Sequence, residues 1–82
     1  MEKHKIEALI FLSVNKNELI NINEQVSAIR EVKRAYEVLG NYDLVLFVNV
    51  PTRADLGRII DKISTLKGVR AISTFILTER IK

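Results

Sequence analysis

Cysteine is absent from the 82 residues of this sequence, and histidine occurs once, as His4. The absence of cysteine excludes a disulfide framework and a thiolate metal site. A single histidine without a cluster of carboxylates also argues against a metal. We therefore expect no metal and no cofactor. Because His4 precedes the first predicted strand, we interpret it as a surface residue of the terminus.

Long apolar runs are absent as well. The apolar stretches are shorter than the ~20 residues that a transmembrane helix needs, and charged residues flank them. A length of 82 residues leaves room for one domain with one core. We therefore expect a single domain over residues 1–82, in a soluble, cytoplasmic protein without a membrane partner.

Charge of one sign does not dominate. The formal net charge is +3, from 13 basic and 10 acidic residues. The basic residues are spread along the chain and nearly all lie near an acidic one, which is typical of a solvated surface of mixed charge. The phenylalanines are set among Leu, Ile and Val, unlike the aromatic residues with basic neighbours on an RNA-binding sheet. The sequence therefore does not indicate a nucleic-acid interface.

The first half of the chain alternates between strand and helix patterns. Apolar and β-branched residues from Ile6 to Val14 predict a strand. An asparagine-rich connection then leads to an amphipathic helix that we expect to end near Arg30. The apolar stripe of this helix is Ile22, Val26 and Ile29, and its candidate N-caps are Asn17, Asn21 and Asn23. Alternation from Val32 to Leu39 predicts a second strand.

The second half repeats this order. The apolar run from Leu44 to Val50 is typical of a central strand, which Pro51 ends because proline lacks the backbone N–H. Thr52 and Asp55 resemble a capping box at the start of a second helix. The apolar stripe of that helix is Leu56, Ile59, Ile60, Ile63 and Leu66. Gly68 is placed to end it, and a last strand follows from Val69 to about Thr78.

This order predicts an α+β fold. With right-handed crossovers, strand-helix-strand-strand-helix-strand gives the ferredoxin-like βαββαβ plait, a four-stranded antiparallel sheet with two helices on one face. The central strands are apolar on both faces, since Leu9 and Phe11 accompany Ile10, and Val45 and Phe47 accompany Leu46. A second copy that covers the open face in a two-fold homodimer is the simplest explanation. The alternative is that a small domain tolerates some exposed Leu and Phe.

The connection between the second and third strands combines backbone freedom, an aromatic ring and a carboxylate. It contains Gly40, Asn41, Tyr42 and Asp43. If the chain binds a small molecule, this loop is the best candidate, because glycine can turn backbone N–H groups towards an anion and Asp43 can pair with an ammonium. The alternative is that the loop has only a structural role. In that case Gly40 and Asn41 form a tight hairpin turn, Tyr42 is a packing residue, and Asp43 forms a hydrogen bond within its own turn.

The run from Leu39 to Leu44, with Gly68 and Val69 after the second helix and Thr74 in the last strand, resembles the effector-binding domain of Lrp/AsnC transcription regulators. This regulation-of-amino-acid-metabolism (RAM) domain matches from about Ile6 to Thr78. The resemblance implies a plait that dimerises through its sheet, rings of such dimers, and an amino-acid effector bound where dimers meet. It places the binding residues at Gly40, Asn41, Tyr42, Asp43 and Thr74.

Three departures from the family pattern bear on function. Many relatives have a Thr-x-Thr pair where this chain has Ile72, Ser73 and Thr74, and a Thr where it has Leu39. Both changes make the implied pocket more apolar and favour an apolar ligand. The chain also enters its first strand by Ile6, without the family's helix-turn-helix. We therefore expect a stand-alone effector domain that does not bind DNA directly and that modulates full-length relatives through mixed oligomers or acts on another partner.

Other classes of function remain as alternatives. The main one is a structural oligomerisation module with a degenerate pocket. A plait-dimer small-molecule enzyme would need a histidine or another polar group in a pocket, and the serines have no histidine partner in prospect. ACT domains share the plait and an amino-acid-binding role, but the spacing from Gly40 to Leu44 fits the Lrp/AsnC pattern better. We expect no enzymatic activity and no catalytic residues.

Overall fold

A computed structural model describes residues 5–82 of the chain, and His4 lies outside this range. Four strands and two α-helices follow one another in the order that the sequence predicts. They are β1 (Ile6–Val14), α1 (Leu19–Ser27), β2 (Val32–Glu37), β3 (Leu44–Val50), α2 (Arg53–Ser64) and β4 (Val69–Leu77), with a 3₁₀ turn (Lys16–Glu18) before α1.

The strands form one antiparallel sheet in the order β2-β3-β1-β4. The central strand β1 pairs with β3 on one side and β4 on the other, so that Ile10 lies opposite both Leu46 and Thr74. This topology confirms the predicted α+β, ferredoxin-like plait.

The core lies between the sheet and the two helices. Alternate residues of β1 and β3 are buried against the helices, as the side-chain period of a strand requires. The predicted helical stripes meet them and form a single apolar cluster, whose fully buried large members include Ile10, Leu12, Ile22, Leu44, Leu46 and Ile63. Ile60 and Leu66, predicted for the stripe of α2, are partly buried at its margin.

The ends of α1 differ from the prediction. The side chain of Asn15 accepts a hydrogen bond from the N–H of Asn17 at 3.0 Å and caps the 3₁₀ turn, and α1 then begins at Leu19. The predicted cap was therefore wrong, because Asn21 and Asn23 lie inside the helix. The helix also ends earlier than predicted, at Ser27, because the chain tightens there into a turn that leads to β2.

The start of α2 follows the prediction, but its end does not. The helix ends at Ser64 with Thr65 as its C-cap, so Leu66 and Gly68 lie beyond it, and the prediction that Gly68 ends the helix was wrong. The hydroxyl of Thr52 accepts from the N–H of Asp55 at 3.1 Å and donates to its carboxylate at 2.8 Å. After α2, Gly68 has φ +96°, and a Cβ atom there would lie 2.5 Å from the Cβ of Glu18. Only glycine therefore allows the turn into β4 to pack against the 3₁₀ turn. Neither helix has the length and apolar composition of a transmembrane segment.

Candidate functional site

The loop between β2 and β3 is fixed to the end of β1 by Asp43. The carboxylate Oδ2 of Asp43 accepts a hydrogen bond from the N–H of Val14 at 2.8 Å. Its backbone N–H donates to the carbonyl of Leu12 at 2.8 Å, and its carbonyl accepts from Val38 at 3.0 Å. The side chain therefore does not bond within its own turn. It holds the loop against a strand that is distant in the sequence.

Gly40 and Asn41 form the exposed tip of this loop. Gly40 has φ +143°, a conformation that residues with a side chain rarely adopt. No atom lies within 4 Å of the position that a Cβ would take. The backbone conformation, rather than crowding, therefore requires glycine, and the space beside the tip is open.

Tyr42 joins a row of aromatic rings on the face of the sheet that the helices do not cover. Its ring centroid lies 5.5 Å from that of Phe11 on β1. Phe11 in turn meets Phe75 of β4 edge-on, at 5.8 Å. Aromatic pairs prefer such tilted and edge-to-face arrangements, so Phe11 holds the rings of Tyr42 and Phe75 in defined orientations. The row links the loop to the last strand across the open face.

Thr74 lies on the opposite face of the sheet from this row. It pairs with Ile10, a fully buried residue of the core, whereas Ser73 pairs with Phe11. Because residues directly opposite each other in a sheet share a face, Thr74 points to the helix side and Ser73 lies beside the aromatic row. Within one chain, the fold thus separates Thr74 from Tyr42.

Ser73 and Phe11 are neighbours of the loop that the sequence reasoning did not include in the site. The signal that could have found them is the period of two along β1 and β4, which puts Phe11, Ser73 and Phe75 on one face. That the loop lies on this same face follows only from the contact of Tyr42 with Phe11, which the sequence does not show.

The open sheet face consists of apolar side chains from three strands. Its central residues are Leu9, Phe11, Val45, Phe47 and Phe75, in cross-strand register. Phe75 keeps 56% of its surface exposed. The guanidinium carbon of Arg34 lies 4.9 Å from the centre of the Phe47 ring and covers part of this face. A continuous apolar surface of this kind is typical of an interaction site.

The helical side of the molecule has an open cleft of about 570 Å³ between α2 and the turn after α1. We call it the helical cleft. Its floor is Ile29 and Ile59, and Glu31, Asp61 and Lys62 stand around it. A smaller cleft of about 260 Å³ lies under β2, where the amide of Asn23 donates to the carboxylate of Glu37 at 3.0 Å. None of the five predicted site residues lines either cleft.

Comparison with known protein families gives a match over nearly the whole chain. The sequence profile of the Lrp/AsnC ligand binding domain matches residues 7–82. Homocitrate synthases of Saccharolobus islandicus are 31% identical over 78 residues, which cover 94% of this chain and 17% of the enzyme. An HTH-type transcriptional regulator of Pyrococcus furiosus is 22% identical over 79 residues, 96% of this chain and 53% of the regulator. The chain spans about half or less of these two relatives.

Solved structures repeat the same fold. The crystal structure of FFRP-DM1 is 32% identical, with a TM-score of 0.83 over 89% of this chain and 99% of that one. A Thermus thermophilus protein superposes with a TM-score of 0.88 at 24% identity, over 94% and 98% of the two chains. A Neisseria meningitidis transcriptional regulator in complex with L-Met has a TM-score of 0.86 at 19% identity, over 94% of this chain and 52% of the regulator.

Proposed function

The chain belongs to the Lrp/AsnC ligand-binding domain family, and from that premise we propose that it binds an amino-acid effector with the loop of residues 40–43, at a contact between subunits. It is a regulatory effector-binding domain. The observation that carries the proposal is the hydrogen bond between Asp43 and Val14, because it fixes the carboxylate of the loop to β1 in the chain without a ligand. A preorganised loop binds with a smaller loss of conformational entropy.

The loop offers complementary groups for both ends of a free amino acid. The exposed backbone N–H groups at Gly40 and Asn41 are suited to the α-carboxylate. The carboxylate of Asp43 uses Oδ2 for Val14, and Oδ1 is the atom that we assign to the α-ammonium. Tyr42, braced by Phe11, forms a wall that keeps water from the ion pair.

The site requires a second subunit in this proposal. The loop tip is exposed, and Thr74 lies on the other face of its own sheet. We therefore assign the Thr74 hydroxyl to a loop of a neighbouring dimer rather than to the loop of its own chain. The open sheet face supports the first step of such an assembly, because its apolar surface is suited to a two-fold homodimer.

The ligand class that we propose is an apolar amino acid. Ile72 and Leu39 stand where many relatives have threonine, so the pocket loses two hydroxyl groups. The Neisseria regulator that shares this fold was crystallised with L-Met, which is such an amino acid. An apolar side chain would also gain from contact with Leu39, which is fully exposed.

The regulatory output depends on the partner to which the domain is joined or bound. Related domains occur in an HTH-type regulator and in a homocitrate synthase. This range supports a module that senses an amino acid and transmits its presence through assembly. We propose pairing with full-length Lrp/AsnC relatives in the cytoplasm as the route to transcription.

A thermal-shift screen against the twenty amino acids tests this function. Ligand at 100 times its dissociation constant stabilises the folded state by about 2.7 kcal/mol, which raises the melting temperature measurably. The proposal expects a selective rise with one or a few apolar amino acids and none with their N-acetyl derivatives, which lack the ammonium.

A structural oligomerisation module with a degenerate pocket is the second candidate. It is favoured by the fact that one oxygen of Asp43 is already occupied and that the loop lines neither cleft. A stable oligomer without a shift from any amino acid would support this candidate and overturn the first.

A further inference from the structure

The open sheet face has two charged side chains among its cross-strand paired residues. Glu7 follows the same period of two along β1 as Leu9 and Phe11, so it points to this face. Arg34 lies on it as well, because its guanidinium carbon is 4.9 Å from the centre of the Phe47 ring. The other paired residues of this face are uncharged. These residues therefore supply one acid and one base.

The two charges do not neutralise each other within one chain. Because β3 lies between β1 and β2, the backbones of Glu7 and Arg34 are about 10 Å apart across the sheet. Along the strands they are about 7 Å apart, since Glu7 pairs with Asn49, two positions from the partner of Arg34. Glu7 shares a cleft with Lys5 and Arg80. Neither Glu7 nor Arg34 takes part in an ion pair of residues 5–82.

We propose that Glu7 of one copy pairs with Arg34 of the copy that covers its open sheet face, and that this pair selects the chains with which the domain assembles. The inference rests on the two-fold homodimer of the proposed function. Covering the face removes both charges from water, and a charge buried without an opposite partner is strongly destabilising. In a two-fold interface the pair forms twice, because each copy contributes its acid and its base.

The course of the Arg34 side chain favours a contact with the facing copy. It starts from the edge strand β2 and lies over a ring of β3, so it already extends across the face towards the centre of the sheet. Facing sheets are about 10 Å apart, and side chains of both sheets fill the space between them. The pair therefore sets one condition on the dimer, which is that β2 of one copy passes over β1 of the other.

The same pair gives the domain a means to discriminate among related chains. A relative with an acid and a base at the equivalent positions of β1 and β2 can replace the second copy. A relative without the base leaves Glu7 buried and unpaired, and an unpaired charge of this kind is enough to reject a partner. The mixed oligomers with full-length relatives are therefore limited to relatives that carry both charges.

Charge reversal at the two positions tests the pair. Glu7→Arg brings two bases together at each contact, and Arg34→Glu brings two acids together. We expect each variant alone to raise the dimer dissociation constant at least about 100-fold, because like charges oppose association. Sedimentation equilibrium measures this constant. An equimolar mixture of the two variants is expected to form a heterodimer of near wild-type affinity, since every contact again joins an acid with a base, and native mass spectrometry identifies it.

Two control variants and one double variant complete the test. Glu24→Arg and Lys62→Glu make the same charge changes at exposed positions of α1 and α2 and should keep the wild-type affinity. The double variant Glu7→Arg/Arg34→Glu should dimerise with itself, which separates lost pairing from a lost fold. Single variants that dimerise like the wild type, or a mixture and a double variant that both stay monomeric, would overturn the proposal. A monomeric Phe75→Lys variant beside either result would leave the dimer face of the proposed function standing.

Discussion

The carboxylate of Asp43 continues the contact of β3 with β1 beyond the last backbone pair, Leu12 with Leu44, by accepting from the N–H of Val14 at 2.8 Å. At this same point the pairing of β1 with β4 shifts register, between Ser13 and Val14. The side chain therefore satisfies a donor at an irregular strand end. A residue that we assign to ligand binding thus also has a structural role, and the two roles need different variants to separate them.

Asp43→Ala is expected to destabilise the fold, whereas Asp43→Asn is expected to retain most of its stability. Alanine leaves the partly buried N–H of Val14 without its acceptor, which costs about 1–3 kcal/mol. The amide oxygen of asparagine still accepts that hydrogen bond. Urea unfolding measures the free energy of unfolding of both variants, and Asp61→Ala, on the exposed face of α2, is the control. An Asp43→Ala variant no less stable than Asp61→Ala would show that the bond contributes nothing.

The three glycines are expected to respond to alanine in three different ways. Gly57→Ala stabilises by about 0.5–1 kcal/mol, because Gly57 lies inside α2 and its Cβ would meet no atom within 4 Å. Gly40→Ala destabilises through backbone strain alone. Gly68→Ala costs most, because strain adds to a clash with Glu18. Thermal unfolding should therefore give the highest melting temperature for Gly57→Ala, a lower one for Gly40→Ala and the lowest for Gly68→Ala. A Gly68→Ala variant as stable as the Gly40→Ala variant would contradict the close packing of Gly68 against Glu18.

Phe75→Lys is expected to convert the dimer into a folded monomer. Phe75 is more than half exposed in the single chain, so the change leaves the core intact but places two ammonium groups in the proposed two-fold interface. Sedimentation equilibrium measures the mass, and circular dichroism measures the fold. Ile20→Lys, an equally polar change at an exposed site on α1, should keep the mass of the wild type. A Phe75→Lys variant with the wild-type mass would place the interface elsewhere.

Asn49→Val is expected to raise the free energy of unfolding. The side-chain oxygen of Asn49, on β3, is buried and has no hydrogen-bond partner among residues 5–82. Removing a buried acceptor without a partner gains about 1 kcal/mol, and valine also favours a strand. Chemical unfolding at a fixed protein concentration measures the change. A clear loss of stability would instead mean that the amide finds a partner in the assembled protein.

The sequence predicts the parts of this molecule that depend on local period. The apolar runs of β1 and β3, the alternation along β2 and the stripes of α1 and α2 identified the elements and most of the core. The helix start was missed because Asn15 caps a 3₁₀ turn first, and several asparagines nearby fit the cap pattern equally well. The contact of Asp43 with Val14 spans 29 positions and depends on strand register and on an irregularity in β1, which residue patterns do not encode.

Thr74 illustrates how far the candidate site can be predicted from the sequence. Its place in the last strand follows from the pattern, and its face follows from its pairing with Ile10, but whether another subunit brings it to a loop depends on the assembly. The five predicted residues therefore remain a proposal for ligand binding. What the fold adds is that the loop is hydrogen-bonded to β1 at Asp43, open at Gly40 and in contact with Phe11 at Tyr42.

Isothermal titration calorimetry of Asp43→Asn beside the wild type, with L-leucine and L-methionine, tests the central claim most directly. Because asparagine keeps the bond to Val14 but loses the charge that pairs with the α-ammonium, we expect affinity to fall by about 10- to 100-fold, the equivalent of a charge-assisted hydrogen bond. 4-Methylpentanoate, which is leucine without its ammonium, should bind neither protein. Equal affinity of both proteins for an amino acid, or no binding by the wild type, would contradict the account.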